Sequence, residues 1–342
     1  MALIQETQIA FGRVRQSALH TANILANFIR VNKLNAPLMN VQLVTEDDAA
    51  WIGKGHEFAE ANYASHWDVS GTMEKIASAE FLGWALAFAM GKVETDGEGP
   101  TYTHTITPMD PVTDDIALPS FSYIEAVRQG ASAVLDRMAV GCCIEEMTLE
   151  VASGAGLQNC KVTVQFAGCG MLTEPSAIVI PAATAENLLR SAGLTLSVHE
   201  SDIVLNGRII SLKLTIKNNI RLDSGFHPGS GFQTALDPES GAIRGRMEHG
   251  IRQYSIEYSA RFLNGSPEWT ALKAQSEGTA VFALAGGSST SAEITVERTR
   301  YKAVELTEAE GIVTANSGLL PMMHSANGLI TAEVVNTLAT LG

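Results

Sequence analysis

The chain has 342 residues, 46% of them hydrophobic and 18% charged, with 23 Lys and Arg against 37 Asp and Glu and a net charge of −14. This is length for about two domains and enough apolar residue for a core. The acid excess excludes a phosphate-gripping surface, because non-specific nucleic-acid binding comes from Lys and Arg that neutralise phosphates; few charges and 30 glycines suit a chain that hides surface in an assembly.

In chain order, the start MALIQETQIAFGRVRQ has no basic segment followed by an apolar one, so no signal peptide is read there. The first segment to stand out is AEFLGWALAFAMG, Ala79–Gly91, in which Phe81–Met90 carry no charge. A membrane span needs roughly 20 apolar residues, and here Glu80 closes one end while Lys92, Glu94 and Asp96 crowd the other. The expectation is therefore a helix over 79–90 and no membrane. Ser78 caps it, Glu80 meets the exposed N–H groups of the first turn, and Gly91 supplies the left-handed residue that ends it. A helix apolar all round is buried all round. Phe81, Leu82, Trp84, Leu86, Phe88 and Met90 are thus core or interface residues, covered by sheet on one side and by something else on the other, a role open to a neighbouring subunit.

Strands follow. CIEEMTLEV places Met147, Leu149 and Val151 on one face and Glu146, Thr148 and Glu150 on the other. KVTVQF sets Val162, Val164 and Phe166 against Lys161, Thr163 and Gln165, and the intervening ASGAGLQN is a hairpin loop. Cys142 and Cys143, as strand neighbours, point to opposite faces. With Cys160 and Cys169 they form no C-x-x-C pair and have no His at ligand spacing, so they read as thiols of a reducing cytoplasm and not as a zinc site.

The stretch 171–192, MLTEPSAIVIPAATAENLLRSA, divides the chain, with a short helix expected over Ala185–Ser191 behind a Thr184 cap. Beyond it, ISLKLTIKN alternates Leu212, Leu214 and Ile216 with Ser211, Lys213, Thr215 and Lys217. QYSIEYSARF puts Tyr254, Ile256, Tyr258 and Phe262 on one side and Ser255, Glu257 and Ser259 on the other, and SAEITVERTRY is a further strand. A second helix is expected over about 267–276. Its start, Ser266-Pro267-Glu268-Trp269, matches Ser78-Ala79-Glu80-Phe81: a cap, an early acid, then an aromatic anchor, with Pro267 where its missing N–H costs nothing. Lys273 and Gln275 give this helix a wet face, and Trp269 joins the core or interface residues. The order strand, cap, helix, strand in both halves points to an internal duplication. Aligned without a gap, the strands before the two helices fall out of phase by one residue, which calls for a bulge or a change of loop length.

Catalytic signatures fail throughout. His20, His56, His66, His104, His199, His227, His249 and His324 show no metal-ligand spacing. GKGHE, Gly53–Glu57, reads as a polar surface loop, GFHPGSGF, Gly225–Phe232, as a flexible loop without the context of a phosphate cradle, and GGSSTS, Gly286–Ser291, as a turn. No nucleophile elbow is present. The expectation is no enzyme, no cofactor and no metal.

The order FGRVRQSALHTANILANFIRVNKL, SHWDVSGTMEK, AEFLGWALAFAMGKV, TYTHTITP, LPSFSYIEA and CCIEEMTLEV…CKVTVQFAG resembles the tail tube proteins of long-tailed bacteriophages. The apolar helix ending at Gly91, TYTHTITP and the hairpin ending FAGCG carry most of the resemblance, which covers the first half and reaches the second through the duplication. It implies a mainly β fold with flanking helices (α+β) and a duplicated tail-tube-like β-barrel or sandwich unit, 1–175 and 176–342, whose strands join an inner barrel between subunits. It implies stacked rings in a virion tail, made in the host bacterial cytoplasm, with tape measure and terminator proteins as partners and DNA passing through the lumen without specific binding. Six barrel-forming units per ring, two to a chain, favour three chains in a pseudo-sixfold ring over six. Alternation alone reports one wet face, either lumen or tube exterior. The resemblance favours the lumen for Glu146, Thr148, Glu150, Lys161, Thr163 and Gln165, joined by Lys213 and Glu257. Another ring-forming tail part (a completion or hub protein), a bacterial injection tube and an uncharacterised enzyme are the alternatives.

Overall fold

Alternation dominates the sequence, and strands dominate the fold. The computed structural model describes residues 6–31, 34–47, 62–109, 117–129, 132–154, 159–174, 178–199, 203–205, 207–226, 242–262, 267–287, 289–309, 312–323 and 328–342. The loop Gly53–Glu57, most of Gly225–Phe232 and the Ser266 cap lie outside the described residues.

The first half contains β1 (Glu6–Gly12), β2 (Phe28–Ile29), β3 (Asn40–Asp47), β4 (Asn62–Ile76), α1 (Ala79–Met90), β5 (Gly91–Asp96), β6 (Tyr102–Pro108), β7 (Phe121–Gln129), β8 (Ser132–Ala152), β9 (Cys160–Gly168) and β10 (Met171–Thr173). The second contains β11 (Leu194–Val198), β12 (Ile203–Val204), β13 (Ile209–Lys217), β14 (Gln253–Arg261), α2 (Pro267–Ala274), β15 (Glu277–Ala285), β16 (Ser291–Ala309), β17 (Ile312–Pro321) and β18 (Ile330–Asn336). The chain is mainly β, as expected, with two α-helices among the described residues.

Eight of the strands form one antiparallel array in the order β3, β4, β9, β8, β13, β14, β17, β16. The seam between the halves is β8 against β13, with Leu149 opposite Leu214 and Thr148 opposite Thr215. The long strands β8 and β16 leave this array at their N-terminal ends and enter further pairings. β8 there meets β7 and β10, and β7 meets β1, which meets β2. β16 there meets β15 and β18, and β15 meets β11, which meets β12. The hairpin β5–β6 of the first half adds to β18 of the second.

Helix α1 sits at the centre. Ser78 is extended and its Oγ accepts the Phe81 N–H at 3.2 Å, while Gly91, at φ 104°, ends the helix and returns its N–H to Ala87. Every residue of α1 is buried. Trp84 donates its indole N–H to the Gly12 carbonyl at 2.9 Å and packs with Phe11, Phe81, Phe88 and Phe121 at centroid separations of 4.2 to 5.6 Å. The second cover is the chain's own β18 and C-terminal tail, so α1 needs no neighbouring subunit. Gly83 lets that tail approach, since a β-carbon there would stand 3.1 Å from the Asn336 and Leu341 side chains.

The helix expected over Ala185–Ser191 is absent: these residues run extended into one short turn of 3-10 helix, Ser191–Gly193. Tertiary contacts replace local ones. Ala79 N–H donates to the Asn187 carbonyl, Leu189 N–H to the Ala77 carbonyl and Thr184 N–H to the Arg30 carbonyl. Asn187 donates twice to Glu80, and Glu186 pairs with Lys75 at 3.0 Å. A helix would turn these groups away from the start of α1.

Candidate functional site: one wet sheet face and two open edges

The eight-strand array has one dry face and one wet one. Met147, Leu149, Val151, Val162, Val164, Phe166, Leu212, Leu214, Ile216, Ile256 and Tyr258 are all buried, as the alternation required. The opposite face collects the polar set. Glu150, Gln165, Lys213 and Glu257 are exposed, Glu146, Lys161 and Thr163 half-buried, and Thr148 is buried at 7% exposure. Cross-strand register joins them: Lys213 lies 3.1 Å from Glu150, Lys217 3.8 Å from Glu146 and Lys161 3.3 Å from Glu74, with the Thr148 and Thr215 hydroxyls 3.5 Å apart. The ion pairs are solvated and each is worth only about 0–1 kcal/mol. Their consequence is electrostatic: positive charge on this face is matched by carboxylate and the surface is hydrated.

Both ends of the array are open among the described residues. β3 is paired on one side only, by β4, and the stretch Ala303–Ala309 of β16 only by β17. An open edge offers unpaired N–H and C=O groups to another strand. Apolar side chains stand at both edges: Leu38 is 48% exposed beside β3, and Leu306 is 50% exposed on β16. Of the anchor residues, Phe81, Leu82, Trp84, Leu86, Phe88 and Met90 are fully buried, whereas Trp269 on α2 is 44% exposed.

The first-turn acids of both helices are buried. Glu80 accepts from Asn187 and from the Thr337 hydroxyl at 3.1 Å, and Glu268 accepts from Arg208 at 2.9 Å. Close by, the Tyr258 and Tyr301 hydroxyls are 2.6 Å apart, and burial pushes Tyr258 up to about 12. Burial likewise pushes Cys160 up to about 12 and Cys169 up to about 11. All four cysteines are buried free thiols, with Cys142 and Cys143 in different apolar clusters on opposite faces of β8. A nucleophile needs the reverse, a lowered pKa and access. Among the described residues no three His, Cys, Asp or Glu side chains come together as metal ligands, and no helix is long and apolar enough to cross a membrane.

Arg244 was not legible in the sequence. It is 1% exposed, pairs with Asp68 at 2.6 Å, donates to the Leu222 carbonyl and stacks 4.8 Å over Phe226. It fastens the connection between β13 and β14 to β4 of the other half. The open edges were missed as well, since alternation reports which face is wet and not which strand has a neighbour. Compared with known proteins, the chain matches no family model and no curated protein.

Proposed function

We propose that this chain is a structural virion protein, a tail tube protein of the long-tailed bacteriophage type that polymerises as stacked rings into a channel for genome delivery. One observation carries the reading: an eight-strand array with one dry face, one hydrated face and, among the described residues, both edges open. Such an array is a liability in a monomer and is made safe by closing into a barrel with further copies.

The division into two tail-tube-like units, 1–175 and 176–342, finds support in the pairing order. β1 with β2 and β7 corresponds to β11 with β12 and β15, and β4 with β3 and β9 corresponds to β14 with β13 and β17. The hairpins agree in detail. β8 carries a bulge between Ile144 and Glu146 opposite Phe166 and Gln165, and β16 carries one between Tyr301 and Ala303 opposite Leu319 and Gly318. The phase mismatch in sequence is a loop difference: α1 begins three residues after β4 ends at Ile76, and α2 begins six residues after β14 ends at Arg261. The hairpin β5–β6 is then an insertion in the first unit.

Ring size follows from strand spacing. Three chains of eight strands at about 4.8 Å per strand give a barrel roughly 37 Å across between backbones before tilt, which widens it further. Six chains would double that and leave a channel far wider than one duplex. Three chains, pseudo-sixfold, are the expectation. Electron microscopy of the purified protein tests it: tubes with this symmetry are expected, isolated rings would point to a completion or hub part, and a monomer at every concentration overturns the reading.

A further inference from the structure

The seam inside the chain is a template for the seam between chains. By the hairpin correspondence above, Thr148, Met147 and Glu146 of β8 match Glu305, Val304 and Ala303 of β16, because their partners across the hairpins, Thr163, Val164 and Gln165 in one case and Asn316, Ser317 and Gly318 in the other, hold the same positions relative to the bulge. On the other side, Thr215, Ile216 and Lys217 of β13 match Asn40, Val41 and Gln42 of β3: the first set lies opposite Ser255, Tyr254 and Gln253 of β14, the second opposite Ser70, Val69 and Asp68 of β4. Inside the chain, Thr148 faces Thr215, Met147 faces Ile216 and Glu146 faces Lys217.

Resting on the assembly reading, we infer that the open edge of β16 pairs antiparallel with β3 of a second copy in this same register, Glu305 opposite Asn40, Val304 opposite Val41 and Ala303 opposite Gln42. The faces agree with this register. Val304 is buried on the dry face, and Val41 lies on the dry face opposite the buried Val69. Glu305 and Asn40 are exposed, beside Asn316 and Ser70 of the wet face. A slip of one residue would set each apolar side chain against a polar one. The register also explains Leu306: its counterpart Leu149 is 1% exposed because Leu214 of β13 covers it, whereas Leu306 is 50% exposed. The two seams differ in chemistry. The inner one carries Glu150–Lys213 and Glu146–Lys217, and the outer one brings Glu305 and Ala303 against the uncharged Asn40 and Gln42.

The test uses the full chain with Glu305→Cys and Asn40→Cys together, oxidised and run on a non-reducing gel. Directly opposed strand residues have Cβ atoms about 4.5–5.5 Å apart, close to disulfide range, and the four native thiols are buried and inert. A covalent ladder ending at three chains is expected, with none for either single variant or for Glu305→Cys with Val41→Cys, whose side chains point to opposite faces. Leu306→Lys, at an exposed position, should leave a monomer folded by circular dichroism and abolish rings. Rings that form without the 305–40 link, a 305–41 link of equal yield, or rings of the Leu306→Lys variant overturn the register. A wild-type chain that forms no rings overturns the assembly reading beneath it.

Discussion

Single buried polar residues fasten the two halves to each other. Lys75, at the end of β4, pairs with Glu186 of the connecting stretch at 3.0 Å with side chains 2% and 5% exposed, and Glu186 also accepts the Ser78 hydroxyl at 2.8 Å. Removing one member of a buried pair leaves the other charged and without compensation, a loss of about 3–5 kcal/mol. Lys75→Met is therefore expected to lower the unfolding free energy by that much, read as a lower urea midpoint, and adding Glu186→Gln should restore most of it. A midpoint unchanged by Lys75→Met would show that the pair carries no stability. At this scale the sequence was legible where chemistry is local. Ser78 and Gly91 announce the ends of α1 through a hydroxyl that accepts the N–H three residues on and a position only glycine fills cheaply. Lys75, Glu186, Arg244 and Asp68 were not legible, because their partners lie more than a hundred residues away.

Among the elements, the strands with one wet side were legible and those covered on both were not. β7 is buried along Phe121–Val127 without alternation, so nothing in its pattern separates it from a buried helix. The stretch 185–191 failed for a related reason: its alanines and leucines favour helix, but Asn187 and Glu186 gain more from Glu80 and Lys75. The hairpin β5–β6 is held to the second half by His104. Its Nε2 lies 2.9 Å from the Leu338 carbonyl and 3.1 Å from Asn336 Oδ1, both acceptors, so Nε2 bears the proton and Nδ1 accepts from the Thr95 hydroxyl at 2.9 Å. Burial, the largest influence, lowers its pKa below the ordinary 6.5, against the raising effect of Asn336 and Leu338. The unfolded chain then takes up a proton that the folded chain refuses, and stability rises with pH through this range. Melting temperature is expected to fall as pH drops below about 6.5, and more steeply than in His104→Asn. Equal slopes in the two proteins would remove His104 as the cause.

For the whole molecule, the wet face decides what a closed barrel would do. DNA carries one negative charge per ~1.7 Å of axis, so a lumen rich in uncompensated Lys would retain it; Lys161, Lys213 and Lys217 each stand within 4 Å of a carboxylate, and in the proposed tube they would leave a hydrated wall along which DNA could slide. Reversing Glu146 and Glu150 is a poor test of this, because their new charges would face Lys217 and Lys213 across the β8·β13 seam and loosen the fold itself. Gln165 and Ser255 are better sites: both are exposed on the wet face and neither belongs to an ion pair of that face. Gln165→Lys with Ser255→Lys adds two positive charges per chain, six around a ring of three, without removing a carboxylate partner. Tubes of this variant should form with unchanged diameter, and virions carrying it should eject their genome more slowly. The delay should be largest at low salt and fade as the Debye length shrinks from about 30 Å at 0.01 M to about 8 Å at 0.15 M. Slower ejection that ignores salt would point to steric obstruction. Intact tubes with wild-type kinetics at every ionic strength would place this face outside the channel, on the tube exterior.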